Sequence, residues 1–308
     1  MVDLNLEIPD SFYQEEVRCG YTISHEMKQV WAVELDLLNE FMRVCNKHAI
    51  VFYADAGTML GAVRHGGMIP WDDDIDVIMM RDQYDKFCRI APTEFKHPFF
   101  FQTEETDPGS MRGHAQLRNS LTTGILYSEK EYKYKFNQGI FLDIFPIETV
   151  PSDKSLFKRQ TDRLWNMRQR YVKYTYWLKR RYVTPSNICK SVIKSIVYKI
   201  LSQVIIFFHL YEKNSRAFSE ELVRYEGTNS PYVAKLVLLP FKERRLWKRK
   251  DFEGVVYLPF EMLRIPVPSG YKNILDKFYG NWHEYVVGKA THGGTFFDVN
   301  KPYTEYIK

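Results

Sequence analysis

The chain has 308 residues, 45% of them hydrophobic and 16% aromatic, with a formal net charge of +5. That is ample for a buried core and fits one large domain or two small ones. Four cysteines, Cys19, Cys45, Cys88 and Cys189, stand far apart with no C-x-x-C pair, which argues against a zinc knuckle and fits a reducing compartment. Met1-Val2-Asp3-Leu4 opens the chain without a basic or an apolar leader region, so no secretory signal is expected.

After a polar lead-in, Ser24 is placed to cap a helix over 25–48, whose stripe is Trp31, Leu35, Leu38, Met42 and Cys45. Ile50 to Ala54 reads as a buried strand, Asp55-Ala56-Gly57-Thr58 as a turn, and 58–64 as a short helix. Gly66-Gly67 and Pro70 mark a loop before a strand at Ile75 to Met79. Asp82 is read as the cap of a helix over 83–91. Strands follow at Pro98 to Gln102, Gln116 to Arg118 and Gly139 to Phe145.

The character changes at Pro151. From Pro151 to Tyr225 there are 16 Lys plus Arg against 5 Asp plus Glu, so the remainder of the chain is net acidic. Trp165, Tyr171, Tyr174, Tyr176, Trp177 and Tyr182 lie in the same segment, and a second run covers Ile188 to Leu210. No stretch reaches about 18 uncharged apolar residues, so a spanning helix is not expected. The segment reads as a helical, basic, aromatic insertion. Two readings remain open: a surface for an anionic membrane, or a structural subdomain with solvated lysines. Strand and helix patterns return at Phe252 to Leu258 and Tyr271 to Tyr285.

Chemistry concentrates in Pro70-Trp71-Asp72-Asp73-Asp74-Ile75-Asp76-Val77. Alternation along a strand puts Asp74 and Asp76 on one face, with Asp72 of the same parity. Carboxylates this close repel unless a cation lies between them, and hard oxygen ligands suit Mg²⁺ or Mn²⁺. Asp143 stands in the apolar run Gly139-Ile140-Phe141-Leu142-Asp143-Ile144-Phe145-Pro146, where an unpartnered carboxylate costs several kcal/mol. A third metal ligand and a buried backbone cap are the two roles open to it. Gly57-Thr58, at a strand-to-helix turn, offers amides and room for a phosphate. Arg64 is a phosphate fork or an ion-pair partner of the aspartates.

In this order the elements resemble the polymerase-beta type of nucleotidyltransferase. The longer run from Gly57 to Val77, with Gly61-Ala62-Val63-Arg64-His65-Gly66-Gly67 inside it, resembles the signature of the LicD phosphotransferases, which include the fukutin-related proteins. Arg118-Asn119, Thr122-Thr123, Phe141 to Pro146, Phe252-Glu253-Gly254, Tyr279-Gly280 and His292 agree with it. Val286-Val287-Gly288-Lys289-Ala290 stands where that family has a proline-rich stretch.

The resemblance implies a nucleotidyltransferase-like, α+β mixed sheet with flanking helices and a basic helical insertion. The expected organisation is a helical lead-in at 1–48, a catalytic core at 49–150, the insertion at 151–250 and a completing α/β part at 251–308. The implied activity moves a substituted phosphate from a CDP-linked donor, such as CDP-choline, to a glycan or lipid-linked glycan hydroxyl. Asp74, Asp76 and Asp143 would hold Mg²⁺ or Mn²⁺. Asp143 would lie nearest the acceptor hydroxyl or take its proton. Gly57, Thr58, Arg64, His65 and Arg118 would meet the donor phosphates, with Asp72, Asp73 and His292 in support. The enzyme is expected in the cytoplasm, in contact with the inner membrane face, and without nucleic acid. The alternatives are transfer of NMP to a small molecule or protein, and a non-catalytic membrane- or RNA-binding module.

Overall fold

A computed structural model describes residues 2–110, 112–132, 134–178, 196–288 and 293–307, together with the backbone of 192–195. His292, Tyr182, Cys189, Lys190 and the start of the run expected at Ile188 lie outside the described residues.

A hairpin of β1 (Glu16–Arg18) and β2 (Tyr21–Ile23) leads to α1 (His25–Lys47). The Ser24 hydroxyl accepts from the Met27 N–H at 3.3 Å and caps α1 as expected. Trp31, Leu35, Leu38 and Cys45 of the expected stripe are fully buried. Then come β3 (Tyr53–Ala54), α2 (Ala56–Arg64), β4 (Asp76–Met80), α3 (Arg81–Glu94), β5 (Phe99–Gln102), β6 (Ala115–Asn119), β7 (Thr123–Leu126) and β8 (Ile140–Val150). The helical arm is α4 (Lys154–Leu178), α5 (Val192–Phe207) and α6 (Leu210–Leu222). The chain closes with β9 (Tyr232–Ala234), β10 (Leu246–Lys248), β11 (Val255–Phe260), β12 (Leu263–Pro268), α7 (Tyr271–Tyr279) and β13 (Thr295–Asp298).

Seven strands form the main sheet, in the order β10-β9-β8-β4-β3, with β6 pairing β8 and β5 pairing β6. The pair β4–β8 is parallel, and the others are antiparallel. This is an α+β, nucleotidyltransferase-like fold. One core cluster runs from Ile23 through the sheet to Val299, joining α1, β12 and α7 to the central strands. A small cluster of Val150, Leu164, Leu222, Ala234 and Leu236 roots the arm. Within 151–250 the helices therefore end at Leu222, and β9 and β10 belong to the sheet.

Several boundaries differ from the sequence reading. Of 50–54 only Tyr53–Ala54 pairs, opposite Ile78 and Val77, before the chain turns into α2. Asp82 lies inside α3 and does not cap it, because β4 runs directly into the helix with Met80 at the cap position. The helix expected over 271–285 stops at Tyr279, where Gly280 takes φ +70° and its N–H bonds the Asp276 carbonyl at 2.9 Å. The strand expected from Phe252 starts at Val255, since Arg249–Phe252 is a short 3₁₀ turn. Ribbon partners β7 and β13, and the strand β12, carry no strong local pattern and were not anticipated.

Candidate active site

The turn from β3 into α2 is built by long-range pairing. Asp55 sits at the helix cap position but makes no side-chain cap bond. Its carboxylate instead takes the buried Lys235 ammonium, and its N–H bonds the Asp76 carbonyl at 3.0 Å. Ala56 has φ +40°, a left-handed value that disfavours any side chain, so the surrounding contacts hold this turn under strain. The Thr58 hydroxyl is buried and accepts from the Asp76 N–H at 2.8 Å. Thr58 thus joins the helix start to the first residue of β4. A Cβ at Gly57 would overlap the Asp72 carboxylate, so glycine there admits the acidic loop.

The loop from His65 to Ile75 is held from three sides. A Cβ at Gly61 would overlap the Gly67 carbonyl, and one at Gly67 would overlap Glu261. The Glu261 carboxylate accepts from the Met68 N–H at 2.9 Å and from Arg18 Nη1 at 2.7 Å, while Arg18 also bonds the Met68 carbonyl. Trp31 Nε1 donates to the Asp72 carbonyl at 3.0 Å. Gly57, Gly61 and Gly67 of the sequence signature therefore serve close approach, whereas Gly66 takes a left-handed φ of +65° with open space beside it.

Carboxylates gather at the end of this loop. Ligand oxygens of Asp72, Asp73 and Asp74 lie within 4.8 Å of one another. Asp74 precedes β4, so its position comes from the loop and not from strand alternation. Asp76 and Asp143 are register partners of the parallel pair β4–β8, and the Asp143 N–H bonds the Ile75 carbonyl at 3.0 Å. Neighbouring strands are about 4.8 Å apart, so these two side chains share a face at close range. Burial, then Asp72, Asp73 and Asp143, pushes the Asp74 carboxyl well above the usual range. Burial, Asp74 and Asp143 do the same to Asp76. Asp143 goes the other way. Burial acts upward, but His114, Gln116 and Arg118 outweigh it and hold this carboxyl low. An all-oxygen donor set with such mutual repulsion fits a hard divalent cation.

Beneath the carboxylates runs a polar row. Gln116 pairs with Asp143 across β6–β8, and Gln102 pairs with Gln116 across β5–β6. His114 Nε2 lies 3.0 Å from Asp143 Oδ1, and Gln116 donates to the same oxygen. Arg118 is fully buried; it donates to Gln102, Gln116 and, at 2.7 Å, the Gly139 carbonyl. Burial, then Arg112, lowers its pKa to about 9. Arg118 therefore faces this row and not open solvent. Sequence reading missed His114, Gln116 and Gln102, although polar residues at 114, 116 and 118, alternating with Ala115 and Leu117 into β6, are a period-two signal.

Gly57, Asp72, Asp73, Asp74 and Asp76 line a cleft of about 410 Å³. Lys235, Arg244 and Arg245 line the same cleft, with Phe278, Tyr279 and Trp282. None of the three cations was anticipated, although the run Lys242-Glu243-Arg244-Arg245 carried the charge. Arg64 also lines the cleft; its Nη1 donates to the Trp282 and Glu284 carbonyls at 2.9 Å, and it lies over the Tyr285 ring. His65 Nε2 accepts from Arg64 Nε at 2.9 Å; burial, Arg64 and Arg18 lower its pKa to about 4. Behind the aspartates, Glu34 of α1 is buried, and its Oε2 has no hydrogen-bond partner among the described residues. Burial and then Asp74, Asp73, Asp72 and Asp76 raise its pKa well above normal.

A mixed sheet with an acidic loop feeding a parallel strand pair, and basic residues lining the same cleft, fits a nucleotidyltransferase-type domain. Residues 49–189 match the family described as LicD/FKTN/FKRP, nucleotidyltransferase domain. The chain is 25% identical over 258 residues to the lipopolysaccharide cholinephosphotransferase LicD of Haemophilus influenzae, covering 83% of this chain and 91% of that protein. A shorter stretch of 60 residues is 40% identical to an uncharacterized protein of Rickettsia typhi, covering 20% of this chain and 19% of that one. One of 56 residues is 38% identical to an uncharacterized protein of Rickettsia prowazekii, covering 18% and 21%. The match over 49–189 and the similarity along most of the chain together support a LicD-type protein.

Proposed function

We propose that this protein transfers a phosphocholine-like substituted phosphate from a CDP-linked donor to a hydroxyl of a cell-surface glycan or its lipid-linked precursor. The observation that carries this reading is a cleft lined both by the carboxylates of Asp72, Asp73, Asp74 and Asp76 and by Lys235, Arg244 and Arg245. Such a cleft suits an anionic diphosphate that arrives with a cation. Its similarity to a cholinephosphotransferase supports the same reading.

In this reading Asp74, Asp76 and Asp143, with Asp72 and Asp73 beside them, hold Mg²⁺ or Mn²⁺. The bound ion would neutralise the diphosphate and stabilise the leaving CMP. Arg244 and Arg245 counter the remaining charge, and Gly57 lets the Asp72 carboxylate lie against the α2 start beside the cleft. The acceptor oxygen attacks the phosphorus bearing the head group, the bond to CMP breaks, and the hydroxyl proton passes to solvent. Asp143, held ionised by His114 and Gln116, is a weak base and serves as a ligand. Thr58 and Arg118 position Asp76 and Asp143 and do not touch the donor. A CDP-linked donor places the reaction in the cytoplasm, and a lipid-linked acceptor brings the protein to a membrane surface.

The test is incubation with a panel of CDP-linked donors and glycan acceptors in Mg²⁺, with CMP and modified glycan measured together. Release of pyrophosphate from CTP, with CMP left on an acceptor, would show nucleotidyl transfer instead. Failure of both, with folded protein, would leave a binding module.

A further inference from the structure

Among the described residues no helix is long and apolar enough to cross a membrane. Yet α5 is the most apolar helix of the arm, and one face of it is exposed among the described residues. Ile196, Val197, Ile200, Val204, Phe207 and the adjoining Phe208 are 41–77% exposed. Steps of three and four residues put them on one side of the helix. The other side is spoken for: Ile205 packs with Leu178 and Tyr211, and Tyr198 meets Trp177 at 5.0 Å between ring centroids. Trp177 is thus packed within the arm itself. A strip of this size is unusual on a protein surface without a partner.

Charge decides which partner. From Arg163 to Tyr211 the sequence has no Asp or Glu but ten basic residues, among them Arg168, Arg170, Lys173 and Lys199. Lys173 and Lys199 are exposed on α4 and α5. A second copy docking on this face would meet the same acid-free, basic surface and be repelled. Nucleic acid would satisfy the charges and leave Phe207 and Ile200 in water. An anionic bilayer meets both demands, with acyl chains for the strip and headgroups for the lysines. With 16 residues, α5 is about 24 Å long, too short to span a hydrocarbon core of about 30 Å but suited to lying in the interface plane.

We propose that the outer face of α5 is a membrane-docking surface for an anionic lipid bilayer. This surface lies outside the cleft, so docking and transfer can fail separately. The test is flotation of the full chain with vesicles of phosphatidylglycerol plus phosphatidylcholine, or of phosphatidylcholine alone, at low and high salt. Sedimentation velocity is run in parallel. Wild type is expected to float with the anionic vesicles at low salt and to be released by salt. The pair Ile200→Glu, Phe207→Glu should abolish flotation without loss of helical signal. Lys199→Glu alone should weaken it about fivefold or more, the effect of one basic group near an anionic surface. A wild-type protein that stays unbound overturns the proposal. So does a wild-type dimer that Ile200→Glu, Phe207→Glu turns into a monomer while vesicle binding is absent.

Discussion

Asp76 and Asp143 face each other as register partners of the parallel pair β4–β8, and their environments push them in opposite directions. Asp76 is surrounded by acids, with Lys235 the countering charge, whereas Asp143 has donors at His114 and Gln116. Asp76→Asn and Asp143→Asn should each lower CMP release at least about 100-fold, as expected when a charge at the reacting phosphate is lost. Without divalent cation, Asp76→Asn should melt at or above the wild-type temperature, because it removes repulsion. Full activity in either variant would place the metal elsewhere.

Gly57 contacts the Asp72 carboxylate region so closely that a Cβ overlaps it. In Gly57→Ala the far end of Asp72 has to swing away, which disturbs the acidic loop and leaves the core intact. A displacement of about 1 Å at a reacting centre can cost on the order of 100-fold. The expected outcome is a loss of that order in kcat and weaker Mn²⁺ binding by calorimetry, with little change in melting temperature. Unchanged Mn²⁺ affinity would disconnect Gly57 from the acidic loop.

Arg118 was expected to meet donor phosphate, but it is buried against Gln102, Gln116 and the Gly139 carbonyl. Lysine cannot reproduce that fork. Arg118→Lys should destabilise the fold by about 2–4 kcal/mol through unsatisfied buried groups, and should lower kcat with an unchanged donor KM. A raised donor KM with normal kcat would return Arg118 to the donor.

His65 is neutral in the fold, with Nε2 accepting from Arg64 and a pKa lowered to about 4. An unfolded histidine titrates near ~6.5. Between these values the unfolded chain binds the proton and the folded one does not, so stability falls as pH drops from about 6.5 to about 4. Melting temperature followed over that window should decline less steeply in His65→Gln than in wild type. Parallel curves would show that His65 does not carry the effect.

The loop signature, the carboxylates and the helix under Ser24 were legible in the sequence, because each rests on local rules. A cap needs one hydroxyl, an amphipathic helix needs a stripe, and an aspartate in an apolar strand needs a reason. Local context is accordingly enough to mark Asp74, Asp76 and Asp143 as candidates, and the order of the elements is enough to point to a mixed α+β fold. What faces the carboxylates was not legible. Lys235 reaches Asp55 across 180 residues, Glu261 holds the loop at Met68, and Arg244 and Arg245 close the cleft from beyond the helical arm. The burial of Arg118 against Gln102, Gln116 and the Gly139 carbonyl is of the same kind. Strand register and long-range packing decide which polar groups meet, and neither is written in the spacing of residues along one segment.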